Sequence, residues 1–264
     1  MTAASNGAYA VPAAALLTAP APWRCIDFVS DVHLHPSMPR TLAAFCRWLH
    51  ETEADALFIL GDLFEVWVGD DMLDDDPFVR DCADALKRAS LRRPVHLMHG
   101  NRDFLMGGRF AEHAGAHPLS DPCVLAFAGE RWLLTHGDAL CTDDAAYLAF
   151  RAEVRQRSWQ QDFLAQPLLQ RQHLAASMRA QSRLHQAQRG GASDVNLAQV
   201  EAWLSAAQAR VMIHGHTHQP ADHALDGARQ RVVLSDWDCD SDVAASRAQV
   251  LRLSPQGWQR LAAG

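Results

Sequence analysis

The sequence predicts an α/β domain interrupted by a long helical insertion, on three observations. Short apolar runs of strand length recur from Trp23 onward, and each ends in a polar cluster. Stretches with helical spacing separate the early runs. Between residues 144 and about 199 the alternation stops and only helical periodicity continues. Alternating strands and helices favour an α/β fold. Ligands in such folds collect beyond the carboxyl ends of strands, which is where the polar clusters fall.

Residues 1–22 come first, rich in Ala and Pro. Their apolar stretch around 13–17 has no basic residue before it, the first being Arg24, so it lacks the start of a secretory leader. We read it as a flexible extension on a cytoplasmic protein, with the domain spanning 23–264. The run 25–29 leads into Ser30-Asp31-Val32-His33. Leu42, Phe45, Cys46 and Leu49 then keep helical spacing. The run 56–60 leads into Gly61-Asp62. Asp76-Pro77, a cap followed by proline, opens a helix carrying Val79, Cys82, Ala83 and Leu86. The run 95–98 leads into His99-Gly100-Asn101-Arg102-Asp103, and the run 132–135 into His136-Gly137-Asp138. The run 211–213 leads into His214-Gly215-His216-Thr217-His218. Within the insertion, Leu164, Leu168, Leu174 and Met178 keep helical period.

Composition narrows the function. The chain has 264 residues, 48% of them apolar, enough for a full core. A net charge of −7 argues against a general nucleic-acid binder. None of the six cysteines forms a C-x-x-C pair, so they read as buried thiols in a reducing compartment. No segment approaches the ~18 uncharged apolar residues of a spanning helix. Charge is uneven: residues 151–190 hold seven arginines against Glu153 and Asp162. That basic segment fits a solvated helix face and a lid for an anionic substrate or membrane surface equally well.

The clusters supply imidazole nitrogens with carboxylate and amide oxygens, donors suited to Mn, Fe or Zn and poor for Ca. One Asp-x-His pair means little. Five such clusters, each at a strand end, outweigh the alternative of polar loops with core histidines. The candidate ligands are Asp31, His33, Asp62, Asn101, His136, His216 and His218. His99 and His214 precede glycines in these motifs and are read as orienting ligands or packing, not as ligands. Asp70, Asp71, Asp74, Asp75 and Asp76 are read as a solvated loop and cap.

The order of these motifs resembles that of the calcineurin-like metallophosphoesterases over most of the chain after residue 23. The resemblance implies a four-layer αββα metallophosphoesterase sandwich with a helical cap insertion. It implies one metal on Asp31, His33, Asp62 and His218, and a second on Asp62, Asn101, His136 and His216, with Asp62 bridging. Where many members carry His after the Asn, this chain has Arg102. Arginine is a poor general acid but grips phosphate oxygens. It therefore suits a leaving group that is itself a phosphate, unless it only pairs with Asp103.

Longer runs, Leu60-Gly61-Asp62-Leu63-Phe64-Glu65-Val66-Trp67 and His136-Gly137-Asp138-Ala139-Leu140-Cys141-Thr142-Asp143-Asp144, resemble the UDP-2,3-diacylglucosamine diphosphatase family of lipid A biosynthesis. That likeness implies cleavage at the α-phosphorus by a two-metal-activated water, with two Mn²⁺ per chain and Arg102 as catalytic residue. UMP and 2,3-diacylglucosamine 1-phosphate would be released. It implies substrate contacts from Asn101, Arg102, Asp144, Ser182 and His216. Gln186 and Arg189 stand where relatives have Asn and Lys. It also implies peripheral contact with the cytoplasmic face of the inner membrane, with a cap covering acyl chains. Phe163, Leu164, Leu168, Leu169, Leu174 and Met178 are the candidate apolar lining. A monomer is favoured. The alternatives are another phosphoesterase on the same scaffold and a binding scaffold without turnover; the latter should lack some ligand residues, and all seven are present.

Overall fold

The computed structural model describes residues 11–188, 194–242 and 245–263, with residues 182–188 as backbone only. The strands are β1 Ala15–Thr18, β2 Ile26–Val29, β3 Ala56–Leu60, β4 Val95–Met98, β5 Ala116–Leu119 and β6 Cys123–Phe127, followed by β7 Glu130–Thr135, β8 Val211–His214, β9 Ala221–Ala224, β10 Gln230–Val233, β11 Gln249–Ser254 and β12 Gly257–Ala262. The helices are α1 Pro39–Glu51, α2 Met72–Asp75, α3 Pro77–Ser90, α4 Gly108–Ala114, α5 Ala145–Val154, α6 Arg157–Leu164, α7 Leu168–Gln188 and α8 Leu197–Ala207.

Two six-stranded sheets form, ordered β1-β6-β7-β8-β10-β9 and β12-β11-β2-β3-β4-β5. Strands β2, β3, β4 and β5 run parallel in one; β7, β8 and β10 run parallel in the other. Successive side chains of a strand point to opposite faces, which sorts the core into layers. Phe28, Ala56, Phe58 and Leu60 meet Leu125, Leu134 and Ile213 between the sheets. Leu57, Ile59, Val95 and Leu97 face the other way, against Phe45 and Trp48 of α1 and Val79 and Leu86 of α3. Leu133 and Met212 pack outward on Val200, Trp203 and Leu204 of α8. The result is helix, sheet, sheet, helix. Both outer helices α1 and α3 begin with proline, and the Asp76 carboxylate accepts a hydrogen bond from Phe78 N at 2.9 Å.

Two boundaries differ from the sequence reading. Ala15–Thr18 is not a flexible extension but an edge strand, paired in parallel with β6. Its Leu16 is exposed and only Leu17 turns inward, so its local pattern is too weak to read as a strand. At the other boundary, α8 begins at Leu197 and belongs to the sandwich, so the helices outside the four layers are α5, α6 and α7.

Candidate metal centre and adjoining cavity

Each cluster residue leaves the carboxyl end of a strand: Asp31 and His33 after β2, Asp62 after β3, Asn101 after β4, His136 after β7, and His216 and His218 after β8. His136 Nδ1 lies 2.9 Å from the Leu60 carbonyl at the end of β3, which joins the two sets of strand ends at one edge. The loops are tightly bent there. Asp31, His33, Asp62, His216 and His218 all have φ between 51° and 67°, and among the described residues only three other non-glycine residues have positive φ. Such backbone costs about 1–3 kcal/mol per residue and persists only where the surroundings enforce it. Close approach of the loops does so. A Cβ on Gly61 would come 2.6 Å from His136 Nδ1, and one on Gly100 would overlap Asp62 Oδ1.

The seven side chains meet. His33 Nε2 lies 3.2 Å from His218 Nε2, 3.9 Å from Asp31 Oδ1 and 4.0 Å from Asp62 Oδ2. His218 Nε2 is 3.4 Å from Asp31 Oδ1, and His136 Nε2 is 3.7 Å from Asp62 Oδ2. Asn101 Oδ1 lies 3.0 Å from His136 Nε2 and 2.8 Å from His216 Nδ1. Two groups of potential metal donors emerge, Asp31 with His33 and His218, and Asp31 with Asp62 and His136. The carboxylate common to both is Asp31, while Asp62 reaches both His33 and His136.

These donors fit divalent cations. Asp31 Oδ2 accepts from Ser30 Oγ at 2.6 Å and His216 N at 2.9 Å, while its Oδ1 is buried, has no hydrogen-bond donor and faces the cluster. Asp62 Oδ1 likewise accepts from Arg102 N at 2.7 Å, leaving Oδ2 toward the imidazoles. Oxygen and nitrogen lone pairs thus converge on one space. The field there favours positive charge. Burial alone would strip His136 of its proton, but Asp62, Asp31 and Asp138 outweigh it and hold the imidazole up at about 9. His218 is raised as well, burial being overcome by Asp31. Burial lowers His216 to about 3 and lowers His33 too.

A cavity of about 590 Å³ opens from this cluster. Its lining includes His33, Asp62, Asn101, Arg102, His216 and His218 from the body, and Phe150, Val154, Trp159, Phe163 and Met178 from α5, α6 and α7. The calcineurin-like phosphoesterase profile matches residues 26–220. A UDP-2,3-diacylglucosamine hydrolase of Bordetella parapertussis is 46% identical over 218 residues, 80% of this chain and 84% of the relative. Those of Stenotrophomonas maltophilia and Aeromonas hydrophila are 43% and 45% identical, over 88% and 86% of this chain and 95% and 96% of their own lengths. The chain belongs to the UDP-2,3-diacylglucosamine hydrolase family of calcineurin-like phosphoesterases.

In this family member Arg102 is not consumed by Asp103. The buried Asp103 carboxylate instead accepts from Gly100 N at 2.7 Å, Leu63 N at 2.8 Å and Asp62 N at 3.4 Å, tying the Asp62 and Asn101 loops together. Among the described residues no carboxylate pairs with Arg102, whose buried Nε has no partner. Asp144 lines the cavity and caps α5, accepting from Tyr147 N at 3.0 Å. Ser182 and Gln186 lie on α7 with side chains outside the described part, and Arg189 lies outside the described residues. His214 Nδ1 lies 2.8 Å from the Gly215 carbonyl, so it supports the turn before His216. His99 sits beside Asp103 and the Met106 backbone.

The apolar lining is only partly as expected. Phe163 and Met178 line the cavity, but Leu164, Leu169 and Leu174 are exposed and Leu168 packs on the core beside it. Helical period says that residues share a face, not which body that face meets. The basic segment also resolves. Arg151 Nε donates to the buried Asp138 at 2.8 Å, beside Tyr147 Oη at 2.6 Å. Arg155 donates to the Gly100 carbonyl at 2.9 Å. The buried Arg171 pairs with Asp71, and Arg179 with Glu65. These four arginines anchor the cap to the body, so the segment is not simply a solvated face. Nor is the acidic run simply solvated: Asp70 accepts from Gly107 N at 2.8 Å and Phe110 N at 3.0 Å. Asp138, Asp103 and Glu65 lie beside the predicted ligands but were not singled out, because a buried carboxylate that holds a loop has the same local signature as one that holds a metal.

Proposed function

We propose that this chain hydrolyses the diphosphate of UDP-2,3-diacylglucosamine at the α-phosphorus, giving UMP and 2,3-diacylglucosamine 1-phosphate (lipid X) in lipid A biosynthesis. The observation that carries this reading is the cavity in which potential metal donors and a cationic Arg102 adjoin an apolar wall of Phe150, Val154, Trp159, Phe163 and Met178. A diphosphate-linked lipid needs both halves at once. The relatives' activity, by their names, is of the same kind.

In this reading Asp31, His33, Asp62, Asn101, His136, His216 and His218 hold two Mn²⁺ ions. When bound, the pair supplies an activated water and a clamp for phosphoryl oxygens. The remaining work falls to the chain. Arg102, whose guanidinium has no carboxylate partner among the described residues, grips the phosphoryl oxygens as charge develops. It keeps its proton, and a phosphate leaving group has no need of one. Asn101, Asp144, Ser182, Gln186, Arg189 and His216 orient the substrate. The apolar wall takes the acyl chains and excludes water. Among the described residues no helix is long and apolar enough to cross a membrane. Contact with the cytoplasmic face of the inner membrane is peripheral in this reading, supported by the exposed Phe150, Leu169 and Leu174 on the cap. The protein acts as a monomer of one domain with a helical cap.

The test is UMP release from the diacylated sugar nucleotide and from unacylated UDP-sugar, each with and without Mn²⁺. Release from the acylated substrate alone, and only with Mn²⁺, is expected. Equal rates on both substrates would remove the lipid. Turnover in the presence of a chelator would remove the metals.

A further inference from the structure

One line of polar side chains runs from the cap into the cluster. Glu65 follows β3, with its backbone N donating to the Leu34 carbonyl at 3.2 Å, so the chain there is held to the segment that carries His33. Its Oε2 lies at ion-pair distance, 2.9 Å, from the buried His33 Nδ1, without the alignment of a hydrogen bond. Its Oε1 pairs with Arg179, one of the residues that α7 contributes to the cavity. On the far side of the ring, His33 Nε2 faces Asp31 Oδ1 and Asp62 Oδ2.

A neutral imidazole carries one N–H and one lone pair, and a carboxylate can only accept. A carboxylate so close to Nδ1 favours the proton on that nitrogen by its charge, which leaves the Nε2 lone pair toward the cluster. A carboxylate so placed also stops the ring from turning over. Glu65 itself would swing freely on its stem, and the Arg179 guanidinium pins its second oxygen. The pin comes from the cap, not from the sandwich.

We propose that Glu65 is a positioning residue that holds His33 in its metal-binding tautomer, and that Arg179 makes this hold depend on the docking of α7. The inference rests on the reading of His33 as a metal ligand. It has a reciprocal consequence: a docked cap tightens the cation, and a bound cation tightens the cap by the same factor.

The experiment is a Mn²⁺ titration of the full chain, stripped by chelator, for wild type, Glu65→Ala, Glu65→Gln, Arg179→Ala and the Glu65→Ala/Arg179→Ala double variant. Limited proteolysis of the cap with and without Mn²⁺ runs alongside. Glu65→Ala should weaken Mn²⁺ by ~10–100-fold, the usual loss on removing such a partner. Glu65→Gln, which keeps an oxygen beside Nδ1 but loses the charge, should lose less. Arg179→Ala should weaken Mn²⁺ measurably although it has no place among the ligands. The double variant should bind no worse than Glu65→Ala, because Arg179 acts through Glu65. Mn²⁺ should slow cap cleavage in wild type and less in Glu65→Ala. Wild-type affinity in both single variants would overturn the relay, as would losses that simply add. If Glu65→Ala does not fold, Glu65→Gln and Arg179→Ala decide the matter. Failure of the wild type to bind Mn²⁺ would instead remove the metal reading, and the relay with it.

Discussion

The strand-end loops and the helical cap meet across one cavity, yet they are held by different forces. The loops are fixed by backbone: five residues at positive φ, glycines where no Cβ fits, and the Asp103 carboxylate accepting from three backbone N–H groups. The cap is fixed by side chains: Arg151 and Arg155 near Asp138, Arg171 on Asp71, Arg179 on Glu65, and apolar contacts through Phe163, Trp159, Leu168 and Ala175. Backbone constraints set atoms to within fractions of an ångström, which a metal pair requires. Long arginines joined to carboxylates tolerate shifts, which under the proposed function suits an element that admits and releases a lipid. The difference teaches that precision and adaptability are separated in space here, with the proposed metal chemistry on the rigid side.

That separation can be broken by experiment. The largest effect expected is from Asp62→Ala on the rigid side, which should lower the rate of UMP release by ~10³-fold or more; a near-normal rate would remove Asp62 from the metal site. Next comes Arg102→Met, expected to cost ~10²–10³-fold in kcat with the protein still folded, the usual loss for a group that meets developing charge. An effect confined to KM would make Arg102 a binding residue only. Asp103→Ala should lower stability by ~3 kcal/mol in a denaturant titration, since three buried backbone donors lose their acceptor. A fully stable variant would mean the loops do not need that tie. Arg189→Ala should mainly raise KM, by ~10-fold, with kcat retained; a fall in kcat alone would remove Arg189 from substrate binding.

The smallest effect expected is a pH dependence remote from both regions. His96 of β4 is buried and stacks on Phe58 with ring centroids 4.5 Å apart; burial, aided by His117, holds it down at about 4. The unfolded chain takes up this proton first, near 6.5. The contribution is therefore fully present above about 6.5 and lost as pH falls toward 4. His96→Phe should flatten stability between those values relative to wild type, as read by denaturation midpoints at pH 5 and pH 7.5. Parallel curves would show that His96 accepts its proton without cost in the fold.

Much of the sandwich was legible because its signals are local. The runs 56–60 and 95–98 coincide with β3 and β4, since a buried parallel strand is a continuous apolar run ended by Gly or a polar residue. Helix α1 announces itself by spacing, and α3 by proline and spacing. Edge strand β1 was not legible: a strand with one partner and an exposed Leu16 carries no such run. The cap lining was half legible, because the exposed Leu174 keeps the same period as Met178, which faces the cavity.

By itself the sequence determined which donor atoms are available and that each follows a strand, because residue type and strand-forming runs are written in neighbouring positions. It also determined that the insertion is helical and basic. Only the tertiary structure decided that Asp103 serves backbone donors rather than Arg102, that four arginines of the insertion are bound to the body, and that Glu65 stands between His33 and the cap. Those are pairings between segments far apart in the chain, and which charge meets which is settled by how the sheets and helices pack.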